Sequence, residues 1–229
     1  NTRYLPGHAL DRLLVPTNDL EEAVLNATIV FVTVPSSAFR QTCKQLSPFI
    51  RSTDVLVSGT KGIEPDGFKL MSQLLSEFTS SRHVGVLSGP NFAEEIAEKQ
   101  YTGTVLASES EKARQAVPEL LRSETFRVYL SQDTFGVELG GALKNIYAII
   151  CGMAAGLNVG QNTIGMILTR SLAEMSRFAV SMGANPYTFL GLSGVGDLLV
   201  TCTSPLSRNY QLGYKIAQGM SYEDASDSL

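Results

Sequence analysis

From Thr28 to about Leu130, short β-branched runs alternate with stretches of helical spacing. The runs TIVFVTVP, DVLVSGTKG, HVGVLSGP and TGTVLAS are apolar at successive positions, the pattern of strands covered on both faces. Between and after them, SSAFRQTCKQLSPFI, GFKLMSQLLSEF, NFAEEIAEK and SEKARQAVPELL place apolar residues three and four apart, as amphipathic helices do. The alternation predicts a mostly parallel sheet with helices on both faces. A last run, FRVYLS, precedes Asp133, and beyond it every segment has helical periodicity. These segments are FGVELGGALKNIYAIICGMAAGL, then IGMILTRSLAEMSRFAVSMG with its glycine stop, then shorter pieces after Pro186 and around Arg208. The expected architecture is an α/β domain over residues 1–132 followed by an all-α domain over 133–229.

Charge narrows the functional classes. Charged residues make up 17% of the chain and the formal net charge is −4, so no basic field is available to hold nucleic acid or a membrane surface. An anionic ligand would have to be held by a few placed cations. Cys43, Cys151 and Cys202 are odd in number and far apart, and the only histidines are His8 and His83, which argues against a disulfide framework and a zinc site. The one apolar stretch of membrane length is interrupted by Lys144, Asn145 and several glycines, so no bilayer span is expected. With no signal-peptide pattern at the start, a soluble cytoplasmic protein is expected.

Three places carry candidate chemistry. Lys144 sits in a helix that is apolar almost all round. Its neighbours three and four positions away are Gly140, Gly141, Tyr147 and Ala148, so its own helix holds no carboxylate to pair with it. Its partner must come from elsewhere, and the two glycines suggest room for another molecule to approach; a lysine snorkelling to water over helix-packing glycines is the alternative. Ligands of an open α/β sheet bind outside the carboxyl ends of its strands. Three successive ends here are small and polar: Pro35-Ser36-Ser37 with Phe39, Ser58-Gly59-Thr60-Lys61-Gly62, and Ser88-Gly89-Pro90-Asn91. Asn91 and Glu94 have capping-box spacing, which would aim a helix amino end at the same crevice. The third place is GLSGVGDLLVTCTSPLSRN, where Asp197 follows a glycine-rich turn and Ser207, Arg208 and Asn209 concentrate donors suited to phosphate or carboxylate. A helix-capping Asp197 and a surface Arg208 are the alternative there.

The strings RYLPG, VPSSAF, TKG, SGPNFAEE, GVELGGALKNIYAI and GLSGVGDLLVTCTSPLSRN resemble, in order and approximate spacing, the bacterial NAD(P)-dependent glycerol-3-phosphate dehydrogenase family over nearly the whole chain. The resemblance implies a Rossmann-like domain joined to an all-α domain. It also implies reduction of dihydroxyacetone phosphate to sn-glycerol 3-phosphate, which feeds phospholipid synthesis, with NAD or NADP as cofactor and no metal. Carried onto matching positions, it makes Lys144 the catalytic acid/base. Lys61, Gly89, Asn91, Asn145, Asp197, Thr201, Ser207, Arg208 and Asn209 become substrate residues. Pro35, Phe39, Lys61, Ala93 and Arg208 become cofactor residues. In the division of labour that follows, Lys61, Asn145 and Asp197 orient the carbonyl end, while Arg208, Thr201 and Asn209 bind the phosphate.

The family pattern also begins with a strand and a GxGxxG turn and closes with further helices, neither of which is in this chain. The chain thus reads as a central part of a longer subunit, its Rossmann-like domain incomplete at the N-terminus, and is expected to be inactive alone. The choice between NAD and NADP stays open, and a homodimer is possible. Two other readings stand beside the main one. A β-hydroxyacid dehydrogenase of the 6-phosphogluconate type also carries a lysine on an early helix of its all-α domain, though TKG and SRN fit it poorly. A non-catalytic binding module or remnant that kept the fold is the other.

Overall fold

The computed structural model describes residues 5–229, so Arg3 and Tyr4 of RYLPG lie outside the described residues. The chain divides into two compact units. One takes in the chain up to Leu87 together with Asn91–Thr134, and the other takes in Ser88–Pro90 and Phe135–Leu229.

The first unit is built on five strands in the order β1-β2-β3-β4-β5: β1 (Ile29–Val32), β2 (Val55–Ser58), β3 (His83–Ser88), β4 (Thr102–Ala107) and β5 (Phe126–Ser131). Its helices are α1 (Leu20–Val24), α2 (Ser36–Leu46), α3 (Met71–Phe78), α4 (Ala93–Ala97) and α5 (Glu111–Leu121). The continuous apolar run of β2 has the predicted cause, because every residue of it is buried. Leu56 packs with Phe39, Cys43 and Leu46 of α2 and Met71, Leu74 and Leu75 of α3. Val55 and Val57 point the other way, into a cluster with Ala113 and Val117 of α5.

β1–β2, β2–β3 and β4–β5 pair in parallel. β4 meets β3 in the opposite sense. Ser108, just past the end of β4, donates to the Val84 carbonyl near the start of β3 at 2.6 Å, whereas Asn91, past the end of β3, donates to Gly103 near the start of β4 at 3.2 Å. The carboxyl ends of β1, β2 and β3 therefore share one edge of the sheet, and those of β4 and β5 lie at the other. The three small, polar strand ends singled out in the sequence are those that share an edge.

The second unit is helical: α6 (Thr134–Gly156), α7 (Gln161–Ser181), α8 (Asp197–Thr203), α9 (Arg208–Ala217) and α10 (Tyr222–Asp227), with a 3-10 turn at Pro186–Leu190. The glycine-rich stretch before Asp197 is one π-helical turn, Leu192–Gly196, running directly into α8. α6 and α9 cross at glycines. A Cβ on Gly152 would lie 2.0 Å from the Tyr210 carbonyl oxygen, and one on Gly213 would lie 2.0 Å from that of Ile149. Only residues without a side chain let the two backbones come this close.

α6 is the single helix that the sequence predicts: it runs unbroken for 23 residues, and by length and a mean hydropathy of 1.2 alone it passes for a membrane span. Buried positions along it, among them Val137, Leu139, Ala148, Cys151 and Ala154, pack within the helical unit as those of a core helix do.

Candidate active site

Lys144, Ala148 and Cys151 are four and seven residues apart on α6 and form one buried stripe. On α8, Asp197 is the first residue and Thr201 comes one turn later, so both occupy the same helix face. The partner that α6 cannot supply comes from this face. The Lys144 ammonium donates to Asp197 Oδ1 and, at 2.6 Å, to Thr201 Oγ1. The Thr201 hydroxyl in turn donates to the Asp197 main-chain carbonyl at 2.6 Å, closing a three-residue ring of hydrogen bonds. Lys144 is 6% exposed, Asp197 1% and Thr201 5%, so the ion pair is held out of water. A charge removed from water at this cost persists only when it is paired and hydrogen-bonded, and here it is both. Neither the snorkelling reading of Lys144 nor the helix-cap reading of Asp197 describes this geometry.

Gly140, one turn before Lys144, behaves differently from the expectation. Gly140 does not leave an approach open, because a Cβ there would sit 3.1 Å from the Ser193 carbonyl oxygen of the π-helical turn. Its role is close packing of α6 against the segment that presents Asp197. Thr201 is also more constrained than the phosphate role requires. A hydroxyl has one hydrogen, and in this structure it goes to Asp197 while the oxygen accepts from Lys144. Thr201 thus helps to orient the ammonium.

Further along the stripe, the Cys151 and Cys202 thiols are hydrogen-bonded to one another, and that bond together with burial pushes the Cys202 thiol far above its ordinary range. All three cysteines are free and buried. A cavity of about 360 Å³ lies beside Cys151, Cys202 and Tyr210, and its lining includes none of Lys144, Asp197 and Thr201.

Residues 1–114 match the family model for the N-terminus of NAD-dependent glycerol-3-phosphate dehydrogenase, and residues 133–229 match the model for its C-terminus. The chain is 54% identical, over all of its length, to a glycerol-3-phosphate dehydrogenase (NAD(P)+) of Alcanivorax borkumensis, covering 67% of that protein. The chain belongs to the NAD-dependent glycerol-3-phosphate dehydrogenase family. A Pseudomonas putida protein of the same name is 56% identical with the same coverage. The crystal structure of glycerol-3-phosphate dehydrogenase from Coxiella burnetii superposes with a TM-score of 0.96 at 34% identity, covering all of this chain and 70% of that one. The chain thus spans about two thirds of the length of these dehydrogenases.

The remaining residues that the glycerol-3-phosphate dehydrogenase resemblance points to fall into distinct settings. In the helical unit, Ser207 is the N-cap of α9 and accepts from the Tyr210 amide at 3.3 Å. Arg208 and Asn209 are the first two residues of that helix, Arg208 exposed and Asn209 half-buried. Asn145 is half-buried beside Lys144 on α6, and Gly89 is buried in the segment that follows β3. In the α/β unit, Pro35 is the exposed N-cap of α2 and Lys61 lies three residues beyond the end of β2.

Phe39 and Asn91 differ from expectation. Phe39 is 0% exposed inside the apolar cluster under α2 and α3, so facing a cofactor would require the ring to leave that core. Asn91 does not cap α4: Phe92 is the N-cap without any side-chain bond, and the Asn91 side chain bonds Gly103 at 3.2 Å and Thr104 at 2.8 Å on β4. Ala93 is exposed at the start of α4, a helix of only five residues. What the sequence reading missed is that Asp197 is the direct counter-ion of Lys144. Its signal was an aspartate in an apolar setting four residues before a threonine, which marks a buried charge but not its partner.

Proposed function

We propose that this chain carries the substrate half and part of the cofactor half of an enzyme that reduces dihydroxyacetone phosphate to sn-glycerol 3-phosphate with NADH or NADPH. The observation that carries this reading is the buried Lys144–Asp197–Thr201 arrangement. Hydride addition to a ketone builds negative charge on the carbonyl oxygen, and a fixed ammonium can stabilise that charge and then neutralise it with a proton. Lys144 is that group. Asp197 and Thr201 hold its nitrogen in one orientation, so little reorganisation accompanies proton transfer. When Lys144 gives up its proton, the buried Asp197 carboxylate that paired with it favours recovery of a proton by the lysine before the next turnover.

The dinucleotide, when bound, supplies the hydride. The residues present fit such a group at α2. This eleven-residue helix starts with Pro35 as N-cap, which makes no side-chain cap bond, and has no acid in its first turn, the setting in which helix amides accept an anion. Pro35 and Lys61 are the residues we assign to it. Arg208 and Asn209, at the amino end of α9, are assigned to the substrate phosphate, and Asn145 to the carbonyl end. Phospholipid precursor supply, a cytoplasmic location and a homodimer are the setting proposed for the enzyme; the Ile146 and Ile150 side chains that α6 leaves exposed are surface that a second copy would cover.

The test is direct. The protein expressed from its full reading frame should oxidise NADH or NADPH on addition of dihydroxyacetone phosphate, followed at 340 nm, and should ignore 6-phosphogluconate in the reverse direction. Absence of the first activity under both cofactors overturns the proposal. Arg208→Lys retains the charge and loses the planar fork, so KM for dihydroxyacetone phosphate is expected to rise by about tenfold while unphosphorylated dihydroxyacetone is hardly affected. Equal loss with both ketones would place Arg208 outside the phosphate site.

A further inference from the structure

The loop that follows β2 carries Lys61, and alternate residues around that lysine are fastened to the segment that follows β1. Thr60, 8% exposed, donates its hydroxyl to the Val34 carbonyl at 2.6 Å, next to Pro35. Gly62 has φ +152°, and a Cβ on it would lie 2.8 Å from Cβ of Ser36, the first residue of α2. Glu64, 6% exposed, takes both arms of the Arg40 guanidinium, Nε to one carboxylate oxygen and an Nη to the other at 2.7 Å. Ser36 and Arg40 are four residues apart, so Gly62 and Glu64 meet the same face of α2 one turn apart.

The far side of the loop is closed as well. The Glu64 amide donates to the Lys69 carbonyl at 2.9 Å, Ile63 bridges Leu70, and Lys69 pairs with Glu77 of α3 at 2.6 Å. Arg40 is itself steadied by the Phe78 ring, 5.0 Å below its guanidinium carbon. The bond from Arg40 holds the Glu64 carboxyl below the ordinary carboxylate range, so the fork is a charge-assisted one.

We infer that Thr60 and the Arg40–Glu64 pair are positioning residues for Lys61: they fasten its loop to β1 and α2 on either side of the lysine and so fix where its ammonium is delivered. The inference rests on the assignment of Lys61 to the substrate and cofactor made above. None of the three need touch a ligand. A loop that ends at a strand and is otherwise free to move would hold its lysine across many orientations, and ordering it in advance removes that cost from binding.

The experiment uses the protein from its full reading frame and a double-mutant cycle in steady-state kinetics. Lys61→Met, Glu64→Gln and Thr60→Val are made singly, and each of the last two is combined with Lys61→Met. Glu64→Gln keeps the size of the side chain and loses the charged fork; Thr60→Val keeps the shape and loses the donated hydrogen. Each is expected to raise KM for dihydroxyacetone phosphate by about tenfold, the scale on which small misplacements of a binding group are felt, with kcat within about threefold of the parent. In the Lys61→Met background neither should raise KM further. A KM effect that persists undiminished in that background, or a lowered melting temperature with KM unchanged in both single variants, shows that the clamp is only structural and overturns the inference. If Lys61→Met itself leaves KM unchanged, the inference falls because the assignment of Lys61 falls, and the cycle distinguishes that from failure of the clamp.

Discussion

Replacing Lys144 with methionine is expected to lower kcat at least about a hundredfold, the low end for loss of a positioned general acid. The change keeps an unbranched chain of similar length and removes the charge and the proton. It also breaks the ion pair with Asp197, whose side chain is 2% exposed. Breaking a buried pair from one side costs about 3–5 kcal/mol, so the melting temperature should fall by about 10 °C. The two effects separate in the double variant Lys144→Met with Asp197→Asn, where both charges of the pair are gone. Most of the lost stability should return in thermal denaturation, and none of the lost turnover. A single variant whose turnover stays within threefold of the parent would sink the assignment of Lys144 as proton donor.

The second large effect is expected far from any charge. Gly213→Ala places a methyl group 2.0 Å from the Ile149 carbonyl oxygen and 2.8 Å from its carbon, both main-chain atoms of α6. No rotamer change can relieve that contact; α6 and α9 have to move apart. Overpacking of this kind costs about 3 kcal/mol or more, which corresponds to a fall of about 6–12 °C in melting temperature. Because α6 carries Lys144 and α9 begins with Arg208 and Asn209, turnover should fall with it. Gly165→Ala is the control. Gly165 lies inside α7, a Cβ on it would meet nothing within 4 Å, and the same substitution there is expected to raise stability by about 0.5–1 kcal/mol. Calorimetry on the two variants checks both, and a Gly213→Ala protein melting within about 2 °C of the parent would show that the helices cross more loosely than drawn.

Much of the fold was legible because its causes are local. A strand buried on both faces has to be apolar at every position, and β2 is; a helix with one covered face has to repeat at three and four residues, and Phe39, Cys43 and Leu46 do. The isolation of Lys144 on its own helix was legible for the same reason, since helix geometry alone says which residues can reach it. That a partner must exist followed from the cost of an unpaired charge in an apolar setting.

Which partner it is did not follow. Asp197 is 53 residues from Lys144 in the chain, and nothing in the spacing of either segment encodes the register in which α8 packs on α6. The same limit separates the other surprises from the sequence. The Asn91–Glu94 spacing describes a cap, but the neighbouring strand β4 offers the Asn91 amide better-placed partners, and those take it. A glycine before a lysine reads equally as an open approach or a packing contact until the π-helical turn is seen to lie against Gly140. The sense of β4 depends on how a five-residue helix returns the chain after β3, a matter of closure and not of periodicity. By itself the sequence determined the elements, the faces they bury and the need for a counter-ion, because each is a property of one segment meeting water or its absence. The tertiary structure decided which groups satisfy one another, because hydrogen bonds and ion pairs form between whatever side chains the packing of distant segments brings within about 3 Å.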